Sequence, residues 1–312
     1  MKIILLGAAG FIGTNLVITL AKDPNNLITV VGRNKEHFKT MEGMSFLNVS
    51  FIESELTAYT DYEILLANQE IVYHLISTTV PTTSNQQIAQ ELTGNVVLSA
   101  NLFEACVHQG VKKVVFLSAG GTVYGKEVDC PLSEKTPTTP ITSYGVQKVT
   151  IEKLLYLYNY MHGLDYRIIR LTNPYGPYQR PDGVLGAVTT FTYHALKGDE
   201  IQVYGDGSVV RDFIYIDDAV RGILKIVDGE ASYHTFNLGC GYGTSIREVL
   251  KTIQETLGIE MNVKYTEARK VDVPVNYLDI TRYETAYGVL APIRLTEGIK
   301  KTANFMREFY QL

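Results

Sequence analysis

The sequence predicts an α/β fold, a doubly wound parallel sheet with a smaller α+β lobe, on three observations. Seven apolar runs recur along the chain: "KIILLG", "LITVVG", "SFLNVSFI", "EIVYHLI", "KKVVFLS", "DYRIIRL" and "YHTFNLG". Their hydrophobicity is nearly continuous rather than alternating, which suits strands covered on both faces. Helix-like segments separate them, and that alternation favours parallel strands. The first run also ends in Gly7-Ala8-Ala9-Gly10-Phe11-Ile12-Gly13, a glycine-rich turn leading into an amphipathic segment.

Taken in order, the first two runs bracket the helix that follows this turn. Amphipathic segments near 89–109 and 143–162 read as crossover helices. From about residue 174 the pattern loosens into "NPYGPYQRPDGVLG" and then mixed helix and short strands. Residues 212–241 regain the earlier character with "FIYIDDAVRGILKIV" and "HTFNLGCG". The expected division is therefore 1–173 plus about 212–241 as one domain, and about 174–211 plus 242–312 as the smaller lobe. No internal repeat or low-complexity linker interrupts it.

The 312 residues are 46% hydrophobic and 20% charged, ordinary for a soluble globular chain. A formal net charge of −5 favours neither nucleic acid nor an acidic membrane surface. Cys106, Cys130 and Cys240 form no CxxC pair, which fits a reducing cytoplasm. The run after Met1 is broken by glycine too early for a leader peptide, and no apolar stretch is long enough to span a membrane. The six histidines show no metal-ligand spacing, so no metal is expected.

The chemistry begins at the glycines. Gly7, Gly10 and Gly13 permit a tight turn, let backbone N–H groups reach a pyrophosphate and bring helix close to strand. The helix N-terminus adds partial positive charge. The pattern predicts a Rossmann-type dinucleotide site, with Phe11 and Ile12 expected among its contacts. The second strand ends in Gly32, then Arg33 and Asn34, where an acid would grip a ribose 2′-hydroxyl. Arg33 suits a 2′-phosphate or a solvated turn equally, so NAD and NADP both stay open. Glu55 and Leu56, after the third strand, are expected near the adenine.

Tyr144 and Lys148 in "SYGVQK" are four residues apart and share a helix face. A tyrosine with a reference pKa of about 10 is a poor base at neutral pH, and an adjacent ammonium favours its phenolate. At the tip of the fifth run, "LSAGGTVYG", Ser118 and Thr122 offer hydroxyls and no carboxylate. Thr79, in the loop "STTVPTTSN", is a candidate for the sugar site.

These motifs, with "RLTNPYGPYQRP" after them, resemble the extended short-chain dehydrogenases/reductases, and within them the UDP-glucose 4-epimerase type, over nearly the whole chain. The resemblance implies a nucleotide-sugar 4-epimerase, UDP-hexose or UDP-N-acetylhexosamine, that oxidises C4 transiently with bound NAD and works as a homodimer. By it Tyr144 is the base and Lys148 tunes it; Asn173 and Tyr175 flank cofactor and sugar; Arg211 and Arg269 hold the diphosphate. Related 4,6-dehydratases carry an Asp-Glu pair where Gly121 and Thr122 stand, so elimination is not expected. The usual serine or threonine is replaced by Gly120, leaving Thr122 or Ser118 to orient the C4 hydroxyl. Asn276, seven residues after Arg269, is expected against the sugar's C2 substituent. An NADPH-dependent 4-ketoreductase is the rival that Gly32-Arg33 favours, and Tyr144 and Lys148 count against a non-catalytic nucleotide sensor.

Overall fold

A computed structural model describes the chain except residues 34–40, 42, 45, 82, 127–128, 182–185 and 270–272. It forms two compact units. The first comprises Met1–Val123, Pro140–Arg170 and Glu230–Phe236; the second comprises Tyr124–Thr139, Leu171–Gly229 and Asn237–Leu312.

The first unit is built on the main sheet. Its strands are β1 (Lys2–Leu6), β2 (Leu27–Gly32), β3 (Val49–Glu53), β4 (Ile71–His74), β5 (Lys113–Ala119) and β6 (Asp165–Leu171), with Thr235–Leu238 as a seventh. The strands run in the order β3-β2-β1-β4-β5-β6, and the seventh lies beyond β6. This is the Rossmann strand order. The pairs from β3 to β5 are parallel, with Leu6 opposite both Val31 and His74. Ile3, Ile4, Leu5 and Leu6 are all 1% exposed or less, the burial that a parallel sheet covered on both faces requires.

The helices of this unit are α1 (Phe11–Leu20), α2 (Tyr62–Leu66), α3 (Ile88–Leu92), α4 (Leu98–His108) and α5 (Ser143–His162), with a π-helical turn at Thr93–Val97 joining α3 to α4. Leu98, Leu102, Phe103 and Cys106 of α4 pack with Ile151 and Leu155 of α5 and with Val114, Phe116 and Ile168 of the sheet. Thr142 starts α5 by accepting a hydrogen bond from the Gly145 amide at 3.1 Å, and Gly163 at φ 72° ends it.

The second unit holds β7 (Asn173–Tyr175), β8 (Ile201–Tyr204), β9 (Val210–Arg211), β10 (Phe213–Tyr215), β11 (Thr235–Leu238, the seventh strand above, whose last two residues belong here), β12 (Thr244–Ser245), β13 (Val263–Thr266) and β14 (Val275–Asn276). Its helices are α6 (Ala187–Lys197), α7 (Ile216–Asp228), α8 (Ile246–Leu257), α9 (Thr281–Tyr287) and α10 (Leu295–Tyr310). Residues 212–241 do not all return to the main sheet. β11 joins it, whereas β10 pairs with β7 in a two-stranded sheet, and residues 212–229 belong to the second unit. Hydrophobicity marks both as buried strands but carries nothing about which neighbour each one meets.

Among the described residues no helix is long and apolar enough to cross a membrane, and no group of three or more His, Cys, Asp or Glu is disposed to hold a metal.

Candidate active site

The glycine turn is shaped by close approach. Gly7 adopts φ +78°, and its amide donates to the Val31 carbonyl at 2.8 Å. A Cβ on Gly13 would sit 2.3 Å from the Ala8 carbonyl oxygen, so only glycine lets α1 come this near β1. Around Gly10 no described atom lies within 4 Å of where a Cβ would stand. Gly10 is also the N-cap of α1 and makes no side-chain cap bond there. Glycine has no side chain to cap the first amides of α1, so the helix start keeps backbone donors that suit a dinucleotide pyrophosphate. Phe11 and Ile12 are half-buried at this turn. Arg33 and Glu55 are exposed, and Leu56 packs against the core. Asn34 lies outside the described residues.

At the tip of β5, α5 places Tyr144 and Lys148 side by side. The Lys148 ammonium donates to the Leu117 carbonyl at 2.9 Å and lies 5.6 Å from the centre of the Tyr144 ring. It is also 4.7 Å from the Phe116 ring centre. Burial pushes the Tyr144 phenol up to about 12 and the Lys148 ammonium down to about 8, the second opposed by the Glu152 carboxylate. A lysine depressed this far keeps its proton at pH 7 and loses it as pH rises through about 8. Gly145 sets the spacing of helix and strand tip: a Cβ there would meet the Thr122 carbonyl at 2.8 Å and Pro140 Cβ at 2.7 Å.

The two hydroxyls at the strand tip differ. Ser118 is 5% exposed and donates to Glu152 at 2.6 Å, while Arg170 grips the same carboxylate with Nε at 3.0 Å and Nη2 at 2.6 Å. Thr122 Oγ1 is buried and has no hydrogen-bond partner among the described residues. Ser118 is thus committed to Glu152, whereas the Thr122 hydroxyl carries no such bond. Glu152 and Arg170 were missed from the sequence, although a further four-residue step along α5 from Tyr144 and Lys148 arrives at Glu152. Thr79 is half-buried and donates to Gln147 at 3.3 Å.

In the second unit, β9 and its neighbours bring two of the expected residues together. Asn276 stands opposite Arg211 in the β14–β9 ladder and is 1% exposed. Arg211 Nη1 donates to the carbonyls of Val210 at 2.8 Å and Val273 at 2.6 Å. Arg269 lies 3.5 Å over the ring centre of Tyr204, a cation–π stack. Asn173 donates through Nδ2 to the Asp212 carbonyl at 3.0 Å. Tyr175, expected to flank cofactor and sugar, is instead 1% exposed, with its ring edge-on to Tyr215 and its hydroxyl against Gly298. Asp212, also missed, is fully buried beside Arg211, and its carboxylate accepts from the amides of Cys240 at 2.7 Å and Gly241 at 3.2 Å. Burial lifts it to about 6, against the amide bonds, which lower it.

The chain is similar to known proteins along almost its whole length. UDP-glucose 4-epimerase of Mycolicibacterium smegmatis is 33% identical over 98% of this chain and 99% of its own. The crystal structure of UDP-glucose 4-epimerase from Thermotoga maritima with UDP-glucose superposes with a TM-score of 0.91 at 32% identity, covering 99% of this chain and 100% of that one. The structure of UDP-N-acetylglucosamine 4-epimerase from Methanobrevibacter ruminantium, in complex with UDP-N-acetylmuramic acid, superposes with a TM-score of 0.89 at 26% identity, over 100% and 99% of the two chains. Residues 3–239 match the model of the NAD dependent epimerase/dehydratase family, and with 33% identity to a curated relative along almost its whole length, the chain is an enzyme belonging to that family.

Proposed function

We propose that the protein is a nucleotide-sugar 4-epimerase acting on a UDP-linked hexose or N-acetylhexosamine. The observation that carries this reading is the pairing of Tyr144 with Lys148 on α5, with an unpartnered Thr122 hydroxyl in a strand-tip segment, 117–125, that has no acidic residue of its own to drive elimination. Gly7, Gly10 and Gly13, with Phe11 and Ile12, would hold NAD, which when bound would supply a hydride acceptor and donor for C4. Thr122 accepts or donates a hydrogen bond at the C4 oxygen and fixes its direction. Tyr144 takes the proton from that oxygen and later returns it. Lys148 holds positive charge within reach of the phenol, which favours phenolate against the burial that opposes it. Arg211 and Arg269 suit the diphosphate, since a planar guanidinium donates two parallel hydrogen bonds.

Val146, Leu157, Tyr160 and Met161 lie on one side of α5 at 44%, 45%, 79% and 61% exposure, and an isologous pairing of this face would cover them in a homodimer. The function is tested by giving the purified protein UDP-glucose and, separately, UDP-N-acetylglucosamine with no added cofactor. Interconversion at C4 with either sugar is the expected result. Consumption of added NADPH in proportion to product would replace this reading with the ketoreductase one.

A further inference from the structure

A second polar cluster lies on the neighbouring face of α5. Ser143 and Gln147 each precede a residue of the Tyr144–Lys148 pair by one position, about 100° round the helix. Both donate to the same oxygen of Glu91, Ser143 Oγ at 2.6 Å and Gln147 Nε2 at 3.1 Å. Glu91 is 7% exposed and sits at the end of α3, and the Ser143 bond, ahead of all other causes, holds its carboxyl below the usual carboxylate range. The π-helical turn that follows aims Asn95 back into the cluster. Asn95 Nδ2 donates to Gln147 Oε1 at 2.8 Å and to Thr78 Oγ1 at 2.7 Å, and its Oδ1 accepts from the Thr78 amide at 2.9 Å. Asn85, in the loop that contains Thr79, accepts from the Ser143 amide at 2.7 Å. All of these residues belong to the first unit.

We infer that Glu91 is a positioning residue whose carboxylate locks the rotation of α5, and with it the direction of the Tyr144 phenol, to the loop holding Thr78 and Thr79. A helix end fixed only by its cap is free to roll by some degrees. Two bonds converging on one buried oxygen remove that freedom on the face next to the reacting one. The inference rests on Tyr144 being the proton-transfer group.

The test uses Glu91→Leu and Glu91→Gln in the full-length protein. Leucine removes both bonds, and kcat should fall roughly 10- to 100-fold with KM nearly unchanged, as for a reacting group displaced by a fraction of an ångström to one ångström. Glutamine keeps an acceptor oxygen and should recover turnover to within about threefold of wild type. The lower limb of the kcat–pH profile should move up in Glu91→Leu, because a displaced phenol gains less from Lys148. Independently of activity, hydrogen exchange at 77–80, 83–85 and 143–148 should quicken in Glu91→Leu and not in Glu91→Gln. Wild-type kcat in Glu91→Leu overturns the inference, as does equal loss in both variants or faster exchange spread over the whole chain. If Glu91→Leu does not fold, Ser143→Ala stands in, and an unmoved pH limb there overturns the inference. Tyr144→Phe run alongside separates the two readings: full activity in it sinks the assignment of Tyr144, while the exchange result still decides the role of Glu91.

Discussion

Each unit buries a carboxylate directly behind residues of the candidate site, and the two are stabilised differently. Glu152, four residues beyond Lys148, faces Arg170 through two guanidinium nitrogens and accepts from Ser118 as well. Asp212, adjacent to Arg211, is met by backbone amides of Cys240, Gly241 and Leu278. A guanidinium brings a full positive charge along with its directed donors, whereas amides bring directed N–H donors without net charge. One acid is therefore a fixed strut and the other a group whose ionisation strains its surroundings. The difference teaches that burial alone does not say how an acid behaves; the partner does.

The largest test breaks the strut. Arg170→Met leaves Glu152 buried without its cation and should cost about 3–5 kcal/mol at pH 7, the range for unpairing a buried ion pair. Urea denaturation of variant and wild type measures it, and a loss below about 1 kcal/mol would show that Glu152 is hydrated or rearranges.

The Asp212 test follows in size and is one of slope. Its folded pKa is raised to about 6 from 3.8. The folded state therefore holds the proton more tightly than the unfolded chain does. Its contribution to stability is full below about pH 4, falls as pH climbs through about 6 and is flat above. Asp212→Asn cannot titrate, so the stability of wild type relative to this variant should drop by about 2.5 kcal/mol between pH 4 and pH 7. A pH-independent difference would mean that the amides compensate the charge as fully as a guanidinium does.

Within the first unit, Tyr144→Phe tests what the strut supports. Turnover should fall by at least about 100-fold, the low end for losing a general base, with substrate affinity kept. Gly145→Ala perturbs the same centre indirectly. Its Cβ would stand 2.7–2.8 Å from Pro140 Cβ and the Thr122 carbonyl, so helix and strand tip must separate. A fall in kcat of roughly 10- to 100-fold is expected as Thr122 and Tyr144 lose register. Unchanged turnover would show that the C4 oxygen does not depend on their spacing.

What the sequence made legible was local. The glycine turn, the seven apolar runs and the four-residue step from Tyr144 to Lys148 each lie within a few neighbouring residues, and each is a feature of the fold. What separates Ser118 from Thr122 is a contact to Glu152, 34 residues away. Glu91 meets Ser143 and Gln147 across 52 and 56 residues, and no periodicity announces such a meeting. Tyr175 sits in a motif rich in site residues, yet the approach of Gly298 makes it a core side chain. Burial of that kind is decided by which helix arrives later in the chain, and α10 carries no local sign of its partner.

The smallest expected effect lies beside Asp212 and sharpens the comparison from the substrate side. Arg211 already spends Nη1 on the carbonyls of Val210 and Val273, and its strand is tied to β14 through Asn276. The side chain is thus oriented by backbone carbonyls, and a planar guanidinium has further donors in a fixed geometry. Lysine at this position keeps the positive charge. It offers one flexible ammonium, which cannot hold two carbonyls and a diphosphate in one geometry. Arg211→Lys should raise KM about tenfold, the size of one good charge-assisted bond, and leave kcat within about twofold, because the diphosphate is bound alike before and during the reaction. Steady-state kinetics on UDP-glucose and UDP-N-acetylglucosamine read both constants. A loss confined to kcat would mean that Arg211 acts on the reacting sugar, and unchanged constants would leave Arg269, stacked on Tyr204, as the residue that holds the anion.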